Sequence, residues 1–251
     1  YQESAAAGWA YGLDRLGYMY DMGKGGLARN EKEAVRLIQL AAAQGHPEGI
    51  ASLGFCHLFG KGDLPVDMAK AVALWREAAA AGNVDAVSAL GSRYLGGFSG
   101  LEKDVEAGLR LTRRAIEQGS TRSKMRLTRY YCDELRDPAM YPEALRLYRE
   151  AAATGYIGAL GDLGQVYEFG QCGEARDDAR AAGYYQQAAA MGDPTGLRGL
   201  ARFTAAGRGG VAQDKVEALR LWRQIEVKGG ARALAQVLRE IAALQRANPN
   251  H

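Results

Sequence analysis

The chain has 251 residues, a length that admits one or two domains, and its 47% of hydrophobic residues is enough to build a buried core. Its formal net charge is only +3, so charge alone gives no reason to expect a nucleic-acid partner. No apolar run approaches the length of a membrane span, so this sequence contains no predicted transmembrane segment.

A Leu-Gly pair recurs every 36 or 37 residues along the chain. It stands at Leu16-Gly17, Leu53-Gly54, Leu90-Gly91 and Leu163-Gly164, and in altered form at Leu127-Thr128 and Leu200-Ala201. Such a period predicts stacked repeats, in which each unit buries its apolar face against its neighbours. Six full periods span 9–230, with bounds at 9–45, 46–82, 83–119, 120–155, 156–192 and 193–230.

Residues 1–8 align with 75–82, the end of a repeat, and the chain has no initiating Met. We therefore expect the sequence to begin inside the last turns of an earlier repeat, as a trimmed or processed product. A signal peptide or membrane anchor could have been removed in the same way.

The repeat at 46–82 shows how each unit is expected to fold. Pro47 suits the first position of a helix, where its missing N–H costs nothing. Asp67 is placed to cap a second helix, in which Trp75 belongs to the apolar stripe. Gly82 ends that helix in the left-handed conformation. Gly54, inside the first helix, predicts a close approach of the partner helix.

Other repeats keep the same devices. The capping position reads Asn30, Asp67, Asp104, Asp177 and Asp214. The bulky position of the second helix reads Ile38, Trp75, Thr112, Tyr148, Tyr185 and Trp222, and we expect both tryptophans to be buried. Beyond the repeats, 231–247 has helical apolar spacing, which predicts a helix that covers the last repeat, followed by a frayed tail to 251.

The pattern A-x-x-L-G-x-x-Y-x-x-G-x-G, a capping Asp, then A-x-x-L-W-x-x-A-A-x-x-G resembles Sel1-like repeats over 9–230. The resemblance implies an all-α fold, an α/α superhelical solenoid of six helix–turn–helix repeats related to the tetratricopeptide repeat, with a C-terminal capping helix. It also implies an adaptor or scaffold function, because members of this family are not generally enzymes. In this family the first helices line the concave side.

Positions that differ between repeats are free to serve a partner. We expect the partner-binding residues to lie on the first helices, with aromatic residues towards the N-terminus and basic residues in repeats four to six. Packing against adjacent helices, and a solvated face paired with Asp or Glu, are the structural alternatives. The candidates are Tyr11, Asp14, Tyr18, Phe55, Arg122, Arg126, Arg129, Gln165, Arg198 and Arg202.

No catalytic or metal-binding pattern emerges from the sequence. Cys56 and His57 are adjacent and point about 100° apart on a helix, so they make a poor nucleophile–base pair. The glycine-rich turns lack the spacing of a phosphate loop. We expect Cys56 to be a buried thiol, and no disulfide to form among Cys56, Cys132 and Cys172, because the cysteines do not recur in register.

The sequence therefore favours a non-enzymatic scaffold, without a cofactor, that binds a protein in the concave groove. We expect a bacterial protein of the cell envelope or periplasm, with the cytoplasm as the alternative. It would act as an immunity or inhibitor protein, or as an envelope signalling adaptor. The rival interpretations are a cell-envelope enzyme acting on the wall or on β-lactams, and a binder of an anionic polymer. The oligomeric state is left open.

Overall fold

The computed structural model describes residues 2–97 and 101–225, and over these ranges the protein is all-α, without a β-strand. The helices are α1 (Gln2–Ala6), α2 (Ala10–Met22), α3 (Glu31–Ala43), α4 (Pro47–Phe59), α5 (Met68–Ala80), α6 (Val84–Gly96), α7 (Val105–Glu117), α8 (Thr121–Arg129), α9 (Tyr141–Ala153), α10 (Ile157–Phe169), α11 (Asp178–Ala190), α12 (Pro194–Ala206) and α13 (215–225). After the short α1, they confirm the six predicted helix pairs of a repeat solenoid. The predicted capping helix at 231–247 lies outside the described residues.

The chain divides into two compact units, Tyr1–Arg126 and Leu127–His251. In the first unit, each helix from α1 to α6 packs on the next one along the chain, and α2 also contacts α4. In the second unit, α10 packs on α9, α11 and α12. No helix in the described ranges is both long enough and apolar enough to cross a membrane.

The predicted caps and close helix contacts are present. The side chains of Asn30, Asp67, Asp104 and Asp177 each accept a hydrogen bond from a backbone N–H in the first turn of the following helix, and Asp214 does the same before α13. Gly82 has a φ of +86°, as expected for a helix-ending glycine.

Each Leu-Gly glycine makes room for the bulky residue of its partner helix. A β-carbon on Gly54 would stand 2.5 Å from Nε1 of Trp75, and one on Gly17 would stand 2.9 Å from the side chain of Ile38. Trp75 and Trp222 are both fully buried, which confirms their predicted placement. Because any larger side chain would fill this contact, the glycines determine how closely the helices of a pair approach.

Repeat four departs from this pattern. Its first helix, α8, has only nine residues and continues as a π-helical segment, Tyr130–Leu135, in which Tyr130 and Tyr131 are buried. A short 3₁₀ turn, Pro138–Met140, then leads into α9. The extra residues of the π-helical segment replace the glycine turn that the other repeats use.

The prediction that no disulfide forms is wrong, because Cys132 and Cys172 are bonded, with their Cα atoms 4.9 Å apart. Cys172 is not in register with another cysteine, but it is in register with the turn glycines Gly25, Gly62 and Gly209. It shares their left-handed backbone, with a φ of +56°. The turn of repeat five therefore brings Cys172 to the end of the first helix of repeat four. Cys56 is a free buried thiol, as expected.

Candidate partner-binding pocket

The first unit contains a pocket of about 560 Å³ formed mainly by its first helices. Three candidates from the sequence, Tyr18, Phe55 and Arg122, lie together in its wall. They come from α2, α4 and α8, and α6 adds Asp85. The apolar part of the lining comes from Met22, Val35, Ile38 and Phe59. The pocket is thus an apolar hollow with charged groups in its wall, a usual arrangement for a binding site.

Arg15 is part of this wall and is held in place by its neighbours. Its Nε and Nη2 both donate hydrogen bonds to Oδ2 of Asp14, over 3.1 and 2.7 Å. The rings of Tyr11 and Tyr18 lie 5.8 and 6.0 Å from its guanidinium carbon, within cation–π distance. Asp14 is only 1% exposed, whereas Tyr11 and Tyr18 are 51% and 42% exposed. Asp14, a candidate from the sequence, therefore lies behind the surface and orients Arg15.

A second ion pair lies in the same wall. Nζ of Lys61, in the turn of repeat two, is 2.5 Å from Oδ2 of Asp21 at the end of α2.

Cys56 also lines the pocket, and burial raises the pKa of its thiol to about 11. The thiol is therefore protonated at neutral pH and is a poor nucleophile. Burial lowers the pKa of His57, which is 3% exposed.

In the second unit, the candidate Arg129 pairs with a partly buried carboxylate. Its Nη2 and Nε donate to Oδ2 of Asp162 over 2.7 and 3.1 Å. Burial raises the pKa of Asp162, while the positive charge of Arg129 opposes that rise. Tyr148, also close to Arg129, has its pKa raised by burial. Arg129 is therefore anchored on its own unit, with half of its side chain still exposed.

Arg202 takes part in a buried network around Glu168, which is 4% exposed. Nη2 of Arg202 donates to Oε2 of Glu168 over 2.5 Å, and the hydroxyl of Tyr185 donates to the same oxygen over 2.6 Å. Nη1 of Arg208 donates to Oε1 over 3.3 Å. The carboxylate is thus compensated by two guanidinium groups, as a buried charge requires.

The other candidates are half-buried, so each offers only part of its side chain to a partner protein. They are Arg126 in the first unit and Gln165 and Arg198 in the second. The residues that the sequence interpretation missed are Arg15, Lys61, Glu168 and Arg208. The sequence spacing could have indicated two of the ion pairs. Asp21 and Lys61 are 40 residues apart, and so are Glu168 and Arg208. At this spacing, each pair joins a first helix to the turn of the next repeat.

Within the described ranges, no group of three or more His, Cys, Asp or Glu side chains is arranged to hold a metal ion. Of the charged groups that line the pocket, Arg15, Lys61 and Asp21 are occupied in ion pairs. What the arrangement offers chemically is recognition, through an apolar surface, aromatic rings and oriented guanidinium groups.

Comparisons with known proteins agree with this architecture. A family model described as Sel1 repeat matches residues 10–46, 47–83, 84–120, 136–156, 158–193 and 195–225. No curated protein matched the sequence.

Several solved structures are similar to the chain. A Sel1 repeat protein from Oxalobacter formigenes is 25% identical with a TM-score of 0.69, covering 86% of this chain and 84% of that one. A protective antigen of uropathogenic Escherichia coli with an SLR fold is 28% identical with a TM-score of 0.59, and the match covers 94% of this chain and 50% of that one. An immunity protein from Pseudomonas aeruginosa is 20% identical with a TM-score of 0.58, covering 78% and 70%, and it shares the fold alone.

Proposed function

Because the chain belongs to the Sel1 repeat family, we propose that it is a non-enzymatic scaffold whose first helices form a groove for a partner protein. The observation that carries this proposal is the pocket of the first unit, where Tyr18, Phe55 and Arg122 line one hollow. These positions differ between repeats, whereas the glycines and caps recur in most of them. Variable aromatic and arginine residues on a constant framework are typical binding anchors.

The chemistry of the pocket favours binding over catalysis. Its one thiol, Cys56, is held protonated by burial, and the adjacent His57 is buried as well. Lys61 and Asp21 neutralise each other. A general acid–base mechanism needs a group poised to exchange protons near neutral pH, and the perturbed thiol is poised far from that range.

We further propose that the protein acts in an oxidising compartment, the bacterial cell envelope. The support for this is the Cys132–Cys172 bond, since disulfides persist in secreted and periplasmic proteins and are rare in the cytosol. The bacterial sources of the similar structures point in the same direction. Fractionation of the source cells, with the free thiols of the native protein counted, would test this compartment.

The binding proposal is tested by comparative capture. The wild-type chain, Tyr18→Ala, Arg122→Ala and a control, Arg223→Ala, are immobilised and exposed to extracts of the source cells. The control residue is exposed and lies on α13 in the second unit. A protein retained by the wild type and the control but lost from both pocket variants would be the partner.

The purified partner then allows affinity to be measured. Truncation of an anchor typically costs about 2 kcal/mol, which is roughly thirtyfold in Kd. If the partner is an enzyme, its activity with added chain distinguishes an inhibitor from an adaptor. A partner whose affinity is unchanged by both Tyr18→Ala and Arg122→Ala would show that the groove assignment is wrong. Binding that collapses steeply with salt and needs no specific protein would favour an anionic polymer instead.

A further inference from the structure

Arg15 is held in the pocket wall by several neighbouring side chains. Both of its bonds to Asp14 go to a single oxygen, through Nε and one N–H of Nη2. A guanidinium has five N–H donors in a rigid fork. Within the part of the chain that the structure describes, the donors of Nη1 and the second N–H of Nη2 have no hydrogen-bond acceptor. Arg15 is therefore fixed in position with donors left over.

Three features fix this geometry. Asp14 is buried and anchors one edge of the guanidinium. The rings of Tyr11 and Tyr18 both lie at cation–π distance from the guanidinium of Arg15. The Tyr18 ring is also contacted by the ammonium of Lys24, 5.3 Å from its centroid. An arginine held in this way loses little side-chain entropy when it binds a ligand, so it is prepared for recognition.

The hydrogen-bond donors that remain available in the pocket indicate the chemistry of the ligand. Its lining includes three cationic and two anionic side chains, and the buried Asp14 behind the wall compensates Arg15, so the charges balance. Lys61 and Asp21 cancel each other as an ion pair. Arg122 is exposed and has no ion pair among the described residues. Two arginines with available donors thus border an apolar surface formed by Tyr18, Phe55 and Phe59.

We infer that the pocket binds a partner segment in which an apolar side chain stands next to an Asp or Glu, with Arg15 as the residue that selects the carboxylate. This rests on the proposed function. The apolar side chain packs on the aromatic lining, and the carboxylate accepts hydrogen bonds from the spare donors of Arg15. A carboxylate is the acceptor that matches a guanidinium fork in geometry and charge.

The probe is a phage-displayed library of random peptides, selected on the folded chain. Selected sequences should be enriched in an aromatic or aliphatic residue beside Asp or Glu. Synthetic copies of these peptides are then titrated against Arg15→Lys, Tyr18→Ala and a matched control, Arg36→Lys. Arg36 is also paired with a neighbouring acid, Glu33, at 2.7 Å, but it does not line this pocket.

Arg15→Lys keeps a positive charge for the buried Asp14 and so preserves the fold, which circular dichroism would verify. The substitution removes the planar guanidinium with its paired N–H donors. We expect the affinity for the peptide to fall about tenfold, the factor that corresponds to one charge-assisted hydrogen bond. Replacing the acidic residue of the peptide by its amide should weaken binding to the wild type equally and have little further effect on Arg15→Lys. Arg36→Lys should bind like the wild type.

The remaining outcomes separate the two proposals. The selected peptides could carry no acidic residue and bind more weakly to Tyr18→Ala but with unchanged affinity to Arg15→Lys. This result would overturn the carboxylate inference, while the pocket would remain the proposed binding site. Peptides whose affinity is unchanged by both Tyr18→Ala and Arg15→Lys would contradict both proposals. A selection that yields no specific binder would also overturn the inference, while the capture experiment judges the proposed function independently.

Discussion

Cys132 and Cys172 are bonded across 40 residues, and the same separation joins two ion pairs, Asp21 to Lys61 and Glu168 to Arg208. In each case a residue at the end of a first helix meets the turn of the following repeat. A distance of one period plus a few residues is what a stacked array produces at this position. Covalent and ionic bonds thus serve the same purpose, to hold a turn against the helix before it.

The disulfide leads to a stability prediction. Cys132→Ser/Cys172→Ser should lower the free energy of unfolding by about 2–4 kcal/mol, because the loop closed by the bond is no longer restricted in the unfolded chain. Urea unfolding of the oxidised wild type against this double variant measures the difference. Cys56→Ser serves as a control for thiol loss without loss of a bond.

Thiol counting is the direct chemical check. Denatured without reductant, the wild type should titrate one free thiol, from Cys56. After reduction it should titrate three. Three thiols before reduction, from protein kept under oxidising conditions, would show that the bond does not form.

Much of the fold could be predicted from the sequence, because caps, helix-ending glycines and the Leu-Gly pair act locally and recur. The disulfide could not be predicted by comparing cysteines with cysteines, since Cys172 occupies a glycine position of the turn. The pairing of Arg15 with Asp14, and of Glu168 with Arg202, depends on combinations of side chains that each occur only once along the repeats. Periodicity identifies what all units need, and it carries no information about contacts that only one unit makes.

The buried Glu168 distinguishes a structural role for Arg202 from a binding role. Glu168→Gln should lower the free energy of unfolding by about 3 kcal/mol, because it leaves two guanidinium groups without their common carboxylate. Arg202→Gln should also destabilise the fold, since Glu168 keeps only the more distant Arg208 as a cationic partner. Both values come from denaturant unfolding.

Glu217→Gln is the matched control, at an exposed acid paired with Arg220 over 3.4 Å, and it should change stability by less than about 1 kcal/mol. If Arg202→Gln leaves stability unchanged yet weakens partner binding, Arg202 belongs to the partner surface rather than to this network.

Because of the close packing at Gly54, replacing this helical glycine by alanine should change the stability in the direction opposite to the usual one. Gly→Ala within a helix normally stabilises by roughly 0.5–1 kcal/mol. At Gly54 the added methyl group would collide with Trp75, and overpacking of this kind costs about 1–3 kcal/mol. We therefore expect Gly54→Ala to lower the melting temperature.

Two controls isolate the contact. A β-carbon on Gly183, in α11, would have no neighbouring atom within 4 Å, so Gly183→Ala should raise stability. In a Trp75→Ala background, itself destabilised by about 3–5 kcal/mol, Gly54→Ala should cost little or nothing further. Equal effects of Gly54→Ala in both backgrounds would mean that Trp75 is not the source of the strain.

The last prediction concerns acid stability. Asp178, at the start of α11, is bound by Arg208 over 2.8 and 3.0 Å and by Arg176 over 3.2 Å. These hydrogen bonds, above all those from Arg208, lower the pKa of its carboxyl to about 2. Because the folded pKa lies below the unfolded one, which is near 4, the stabilisation is fully present above about pH 4. It is lost as the pH falls towards 2.

Denaturant unfolding of the wild type and Asp178→Asn between pH 6 and about pH 2 tests this linkage. The variant should be less stable at pH 6, by less than about 1 kcal/mol because the pair is partly exposed to solvent. The difference should shrink as the pH falls, since the protonated Asp178 no longer attracts Arg208. If the free energy of unfolding differs between the wild type and Asp178→Asn by the same amount across the whole pH range, the charge of the Asp178 carboxylate does not stabilise the fold.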